Sequence, residues 1–261
     1  MRIALGIEYD GSAFNGWQQQ PGVRTVQNCV EQALSKVAAH PVAIICAGRT
    51  DAGVHASGQV VHFDTHAERS PRAWTLGTNT ELPADVNVRW AQVVDDSFHA
   101  RFSARARHYR YVILNRSVRS ALYRTRASWE PRPLDVTRMN AAAQHLLGEH
   151  DFSAYRAQQC QSKSPVRVMQ RLEVQRHDDF LHIEVRANAF LHHMVRNIAG
   201  VLMTIGRGER EPDWAREVLE TRDRRLGGVT APAQGLYLTA ADYPEKFGLP
   251  DGALGITSPD S

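Results

Sequence analysis

Residues 47–61 read Ala47-Gly48-Arg49-Thr50-Asp51-Ala52-Gly53-Val54-His55-Ala56-Ser57-Gly58-Gln59-Val60-Val61. An apolar lead-in, Val42 to Cys46, reads as a buried strand, and an exit in which Val61 and Phe63 share a face reads as a second one. Between them, Gly48 and Gly53 permit backbone angles or close approaches that a side chain would block. Asp51 is therefore displayed at the tip of a tight connection, with Arg49 two residues away. A carboxylate beside a guanidinium stays ionised at neutral pH, which suits a nucleophile or a base. The same residues would also serve an Asx turn with a surface arginine.

Working outward, Arg2 to Tyr9 alternates, with Ile3, Leu5 and Ile7 on one face, and reads as a strand. Thr25 to His40 carries apolar residues at 26, 30, 33, 34 and 37, an amphipathic helix with Thr25 as N-cap. A helix from Pro71 to Asn79 starts on a proline, and Val86 to Val94 is a further strand. The order strand, helix, strand, strand, helix, strand suits an antiparallel sheet backed by helices. After a linker at 98–106, a coarse echo follows. It comprises a strand at 107–114, a long basic loop at 117–133 and a helix at 135–147, then strands at 167–176 and 180–187. A helix at 190–206, a short helix at 212–221 and a closing strand through Leu236 complete it, with a loose tail over the last ten residues. The fold class is α+β, with an N-terminal half at 1–104 and a C-terminal half at 105–261.

The net charge of +3 conceals an asymmetry. Residues 1–104 carry 8 basic and 10 acidic side chains, and residues 105–261 carry 23 and 18. Nine arginines fall between 101 and 132, against the single acid Glu130. The planar fork of arginine matches phosphate, so this density points to a polyanion, or else to a solvated basic surface. No apolar run is long enough for a membrane span. The N-terminus lacks a secretory pattern, and Cys29, Cys46 and Cys160 form neither a disulfide framework nor a zinc pattern, which favours the cytoplasm. Walker and dinucleotide-binding fingerprints are absent from the sequence.

Four stretches mix polar and aromatic residues outside the apolar patterns: 10–21, the Asp51 loop, 98–111, and the start of the Phe190 helix with His192, His193, Arg196 and Asn197. An enzyme acting on a nucleobase needs such parts: a carboxylate, an aromatic to stack on an extruded base, and arginines for phosphate. Tyr109 can be the stacker, with Arg107 and Arg110 beside it, or a core tyrosine. Arg196 can pair with Asp51, or be an exposed helix arginine. His192 and His193, as neighbours on a helix, would diverge by about 100° and so do not make a metal site. Asp10 fits an Asp-Gly turn more cheaply than a catalytic role. Phe14 and Trp17 can brace the first loop.

In this order along nearly the whole chain, Tyr9-Asp10-Gly11-Ser12 with Gly16-Trp17-Gln18, Gly48 to Ala56, Arg107-His108-Tyr109-Arg110-Tyr111, Asp151-Phe152-Ser153, Phe190 to Asn197 and Gly235-Leu236-Tyr237-Leu238 resemble the TruA family of tRNA pseudouridine synthases. Tyr155 stands where phenylalanine is more usual in that family. The resemblance implies two RNA-recognition-like halves whose antiparallel sheets join around a basic cleft. It implies a homodimer on which one tRNA touches both subunits, and isomerisation of uridines 38 to 40 of the anticodon stem-loop without cofactor or metal. It also implies Asp51 as the catalytic residue, with Arg49, Tyr109, Arg196 and Leu236 around the substrate. The alternative is a non-catalytic RNA-binding or RNA-folding protein on the same scaffold.

Overall fold

The computed structural model describes residues 1–250, so the tail expected at the C-terminus lies outside the described residues. The chain divides into two compact units, residues 1–107 with the C-terminal segment from Tyr237, and residues 108–236. The sequence boundary at 104/105 falls close to this division. The closing strand does not stay with the second half that precedes it in sequence; from Tyr237 onward it belongs to the first unit.

The first unit contains β1 (Arg2–Tyr9), α1 (Val26–Ala38), β2 (Ile45–Cys46), β3 (His55–Asp64), α2 (Pro71–Glu81) and β4 (Val86–Val94), the order read from the sequence. β1 lies between β3 and β4, antiparallel to both, and β2 pairs with β3 antiparallel. The closing strand, at Tyr237 and Leu238, pairs with His55 and Ala56 of β3 in parallel. The buried strand expected over 42–46 is only two residues long: Val42 and Ile44 are buried, but Ile45 is 43% exposed. Those two apolar residues pack inward from an otherwise irregular lead-in.

β1 is buried on both faces, not one. Ile3, Leu5 and Ile7 meet the helix side, where Phe63 packs edge-on to Trp74 at 5.2 Å. The other face carries a second cluster, in which Ala4, Val60, Phe98, Ala100 and Phe247 pack with Tyr243. Small residues on this face of β1 make room for large ones; the Trp90 indole lies where a Cβ on Gly6 would stand.

The second unit holds β5 (Ala106–Asn115, whose first two residues are in the first unit), β6 (Ser128–Glu130), α3 (Val136–Gln144), β7 (Gly148–Asp151), β8 (Val166–His177), β9 (Phe180–Ala187), α4 (Met194–Gly206) and α5 (Trp214–Thr221). Its sheet runs β5-β9-β8-β7, with β6 parallel to β5 inside what reads as a featureless basic loop. β9 alternates as expected, with Leu181, Ile183 and Val185 buried. Eleven of the thirteen residues of α4 are buried, so this helix is the second unit's core element. Each large aliphatic side chain it buries contributes on the order of 1.5–3 kcal/mol. The β10 strand (Leu236–Asp242) follows.

The echo between the halves extends to a detail that periodicity does not show. In the first unit, Asn79 on α2 donates from Nδ2 to the Val88 carbonyl (2.8 Å) and accepts from the Val88 N–H (2.7 Å). In the second, Asn140 on α3 makes the same pair with Val174, at 2.8 Å each way. The Val88 groups sit beside a register shift between β1 and β4, where ladder pairing is interrupted. Each amide thus satisfies two backbone groups at once. Asn79→Ala and Asn140→Ala should each destabilise the protein by about 2 kcal/mol, the worth of two such bonds, in denaturant unfolding.

His62 on β3 is 3% exposed and its Nδ1 accepts from the Ala100 N–H at 3.1 Å, so this nitrogen carries no proton. Burial, then the nearby Arg2 and His99, lower its pKa to about 4. The unfolded chain binds this proton below about pH 6.5, while the folded one resists it until about pH 4. The His62 contribution is therefore complete above pH 6.5 and is lost as pH falls toward 4. Melting temperature should drop across that window, and His62→Gln should flatten the drop.

Candidate active site

Asp51 sits in a loop that has no regular structure of its own, between β2 and β3, and backbone contacts hold it in place. The segment following β1 supplies them. The Trp17 N–H donates to the Thr50 carbonyl (3.0 Å), and the Gly53 N–H donates to the Phe14 carbonyl (3.3 Å). The Tyr9 and Thr50 hydroxyls are hydrogen-bonded at 2.8 Å in a buried position. Phe14 and Trp17 are buried, as braces should be. Two glycines make this approach possible. A Cβ on Gly11 would stand 1.9 Å from the Val54 carbonyl oxygen, and one on Gly16, at φ +87°, would stand 2.8 Å from that of Thr50. From the other side, buried Gln59 donates from Nε2 to the Gly48 carbonyl at 2.7 Å. The tip itself is a turn, with the Val54 N–H donating to the Asp51 carbonyl (3.1 Å) and Gly53 at φ +77°.

The result is a rigid mount. Thr50 is buried, Asp51 is partly buried, and Arg49 is exposed. Arg49 makes no ion pair or hydrogen bond among the described residues, so the carboxylate–guanidinium pairing expected within the loop does not form there. Asp10 behaves as a turn residue: its Oδ1 accepts from the Ser12 N–H (3.0 Å) and hydroxyl (2.6 Å). It also lies 3.2 Å from His55 Nδ1. The Gly11 N–H also approaches that nitrogen, at 3.0 Å. The ring of His55 stacks on Tyr237 at 4.6 Å.

In the second unit, Tyr109 on β5 is 8% exposed and meets Phe190 edge-on at 5.0 Å. Arg196 lies in the first turn of α4. Its Nε donates to the Ala231 carbonyl (2.9 Å), and the Ala231 N–H returns a bond to the Arg196 carbonyl (3.1 Å). The segment 231–236 is thereby tied to α4. It is also tied to β5, where the Tyr111 hydroxyl donates to the Pro232 carbonyl at 2.9 Å. Burial raises the Tyr111 pKa and keeps that donor protonated. Gly235 packs so closely that a Cβ would stand 2.7 Å from the Val112 carbonyl oxygen, and Leu236, buried, follows directly. The second unit thus gathers Tyr109, Arg196 and Leu236 around β5, α4 and this segment.

Two sequence expectations change here. The helix expected from Phe190 begins only at Met194, and His193 precedes it in the left-handed conformation at φ 62°. His192 and His193 are therefore not neighbours on a helix, and their rings lie 4.1 Å apart. The arginine cluster at 101–132 is also less available than its count suggests. Arg107 donates to the carbonyls of Ala47 (3.0 Å), Ala104 (3.2 Å) and Arg101 (2.5 Å). Arg110 pairs with Glu184, Arg116 with Asp179, and Arg132 with Glu130 and Glu209. Acids distant in sequence thus meet several of these arginines, whereas Arg105 and Arg119 stay exposed. Sequence reading gave no role to Thr50 or Asn197, although both lie inside the quoted motifs, and passed over Gln59, whose only visible signal is position just beyond the Asp51 motif.

Residues 6–103 and 142–244 match a family model described as tRNA pseudouridine synthase. Over 255 residues the chain is 60% identical to a tRNA pseudouridine synthase A of Alcanivorax borkumensis, covering 97% of this chain and 96% of the relative. It is also 60% identical over 255 residues to one of Pseudomonas aeruginosa, covering 97% and 90%. It is 61% identical over 257 residues to one of Nitrosococcus oceani, covering 98% and 99%.

The close backbone approach at Gly11 yields a stability test. Gly11→Ala forces the 11–17 segment off the Asp51 loop. It should cost about 2 kcal/mol or more, a fall of several degrees in melting temperature, with increased proteolysis within 48–54.

Proposed function

Since the chain belongs to the tRNA pseudouridine synthase family, we propose that it isomerises uridine to pseudouridine at nucleotides 38 to 40 of the tRNA anticodon stem-loop, with Asp51 as the catalytic group. The observation that carries this reading is the mount of Asp51. A carboxylate on a glycine-permitted turn, held by a second segment through backbone bonds, lies within the residues matched by the family model. Such pre-organisation is what a group acting at one atom of a flexible substrate requires.

Asp51 acts at the ribose or the base. The C1′–N1 bond breaks, uracil turns, and a C1′–C5 bond forms while C5 gives up its proton and N1 ends protonated. Atoms and electrons balance without a cofactor, metal or water. Nothing is hydrolysed, so one carboxylate suffices where a glycosidase uses two. The target base has to leave its stack, and contact with Tyr109 would offset part of that cost. Arg49 and Arg196 would hold the charged backbone, and Leu236 would cover the base. The protein would work in the cytoplasm, a reading supported by three cysteines that are all unpaired, and as a homodimer, as the family resemblance implies.

The test is incubation of wild type and Asp51→Asn with unmodified tRNA, followed by carbodiimide-stop sequencing. Wild type should yield pseudouridine at 38 to 40. Asp51→Asn should lose at least about 10³-fold in turnover while still binding tRNA. Near wild-type turnover by Asp51→Asn would remove the proposal.

A further inference from the structure

Outside the catalytic loop, the second unit contains a hollow of about 500 Å³ lined by Gln158, His192, His193, Arg224, Gly227 and Thr230, among others. Its core is a polar network that the proposed chemistry does not use. Asn197, 2% exposed on α4, donates from Nδ2 to the Tyr155 carbonyl at 2.7 Å, which fixes the amide orientation. Its Oδ1 therefore faces donors, and accepts from the Thr230 hydroxyl (2.7 Å) and from Arg224 Nη2 (3.0 Å). The same Nη2 also donates to Thr230 Oγ1 at 2.9 Å.

Every partner of this guanidinium is neutral. Its Nε and Nη1 have no hydrogen-bond partner among the described residues, and no acidic side chain lines the hollow. The nearest acid in sequence, Asp223, is occupied by Arg225, which donates to it from Nε (3.0 Å) and Nη2 (2.6 Å). Partial burial lowers the Arg224 pKa, and no carboxylate raises it again. The charge is thus partly desolvated, faces the hollow and has no carboxylate bonded to it, so an anion arriving there would be favoured. His193, on the rim, is the N-cap residue of α4; its side chain makes no capping hydrogen bond and the helix's first turn holds no acid, so the dipole also favours negative charge.

We propose that this hollow binds one backbone phosphate of the substrate tRNA, with Arg224 as the charged ligand and Asn197 and Thr230 as the groups that aim it. The assignment rests on the reading of the chain as a tRNA-modifying enzyme. Arginine suits the task because its remaining N–H groups stay available while Nη2 is pinned. The network lies one residue beyond Arg196, so occupying the hollow would set the register of the RNA against the start of α4.

The test measures affinity of the full-length protein for unmodified tRNA between 50 and 200 mM salt. Arg224→Gln should weaken binding about tenfold and reduce the slope of log affinity against log salt by about one, the signature of one lost phosphate contact. Arg224→Lys should keep the slope while losing part of the affinity. Thr230→Val, which loosens the network but leaves the charge, should keep the slope as well. Unchanged affinity and slope in Arg224→Gln would overturn the proposal, as would equal losses in Arg224→Gln and Thr230→Val, which would make Arg224 a strut. If Arg224→Gln does not fold, single methylphosphonate substitutions in an anticodon stem-loop RNA replace it. One position should cost wild type about tenfold and cost Arg224→Lys less, and a flat scan would overturn the proposal. Wild-type pseudouridine formation separates the two readings. If it is present while Arg224→Gln binds normally, only this inference fails; if it is absent, the proposed function fails.

Discussion

The site depends on a backbone-to-backbone approach. Two segments outside the strands and α-helices, 10–17 with its single 3-10 turn and 47–54, come so close that a methyl group at Gly11 would overlap the Val54 carbonyl. Side chains could not make this join, because the distance between the chains is shorter than a side chain. The bonds from Trp17 to Thr50 and from Gly53 to Phe14 therefore hold the carboxylate of Asp51 through peptide groups. Peptide groups lack rotamers, so the mount is stiffer than one built of side chains and loses less entropy when a substrate arrives.

Around that mount, the protein uses arginine in three physically distinct ways. Arg107 is a strut: its guanidinium gathers the carbonyls of Ala47, Arg101 and Ala104, and so anchors the residue that leads into the Asp51 loop. Arg196 ties α4 to the segment 231–236 by the same means. Arg110, Arg116 and Arg132 are balanced by carboxylates. Arg224 differs from these three carboxylate-paired arginines: the neutral oxygens of Asn197 and Thr230 hold it, and it lines the hollow beside α4. A count of basic residues treats all of these alike, although only a cation lacking an internal anion attracts an external one strongly.

The two halves share a plan at the level of polar detail as well as element order. Asn79 and Asn140 each clamp the backbone of a strand from the helix packed on it. Each clamp satisfies groups that would otherwise be buried without partners, a cost that an apolar residue at the same place would incur. Neither asparagine stands out in the sequence, because an amide on a helix reads as surface. Its inward orientation follows only from what packs above it.

The sequence by itself determined the element order, the amphipathic helices, the alternating strands and the display of Asp51 between two glycines. These follow from local periodicity and backbone freedom, which neighbours in the chain decide. It also carried the family resemblance that the comparisons bear out. Only the tertiary structure decided that the lead-in to Asp51 is mostly irregular and that β1 is buried on both faces. It alone decided that α4 starts after His193, that the last strand joins the first unit, and which arginines already have an anion. Each of these depends on contacts between residues far apart in the chain, whose energies no local pattern encodes.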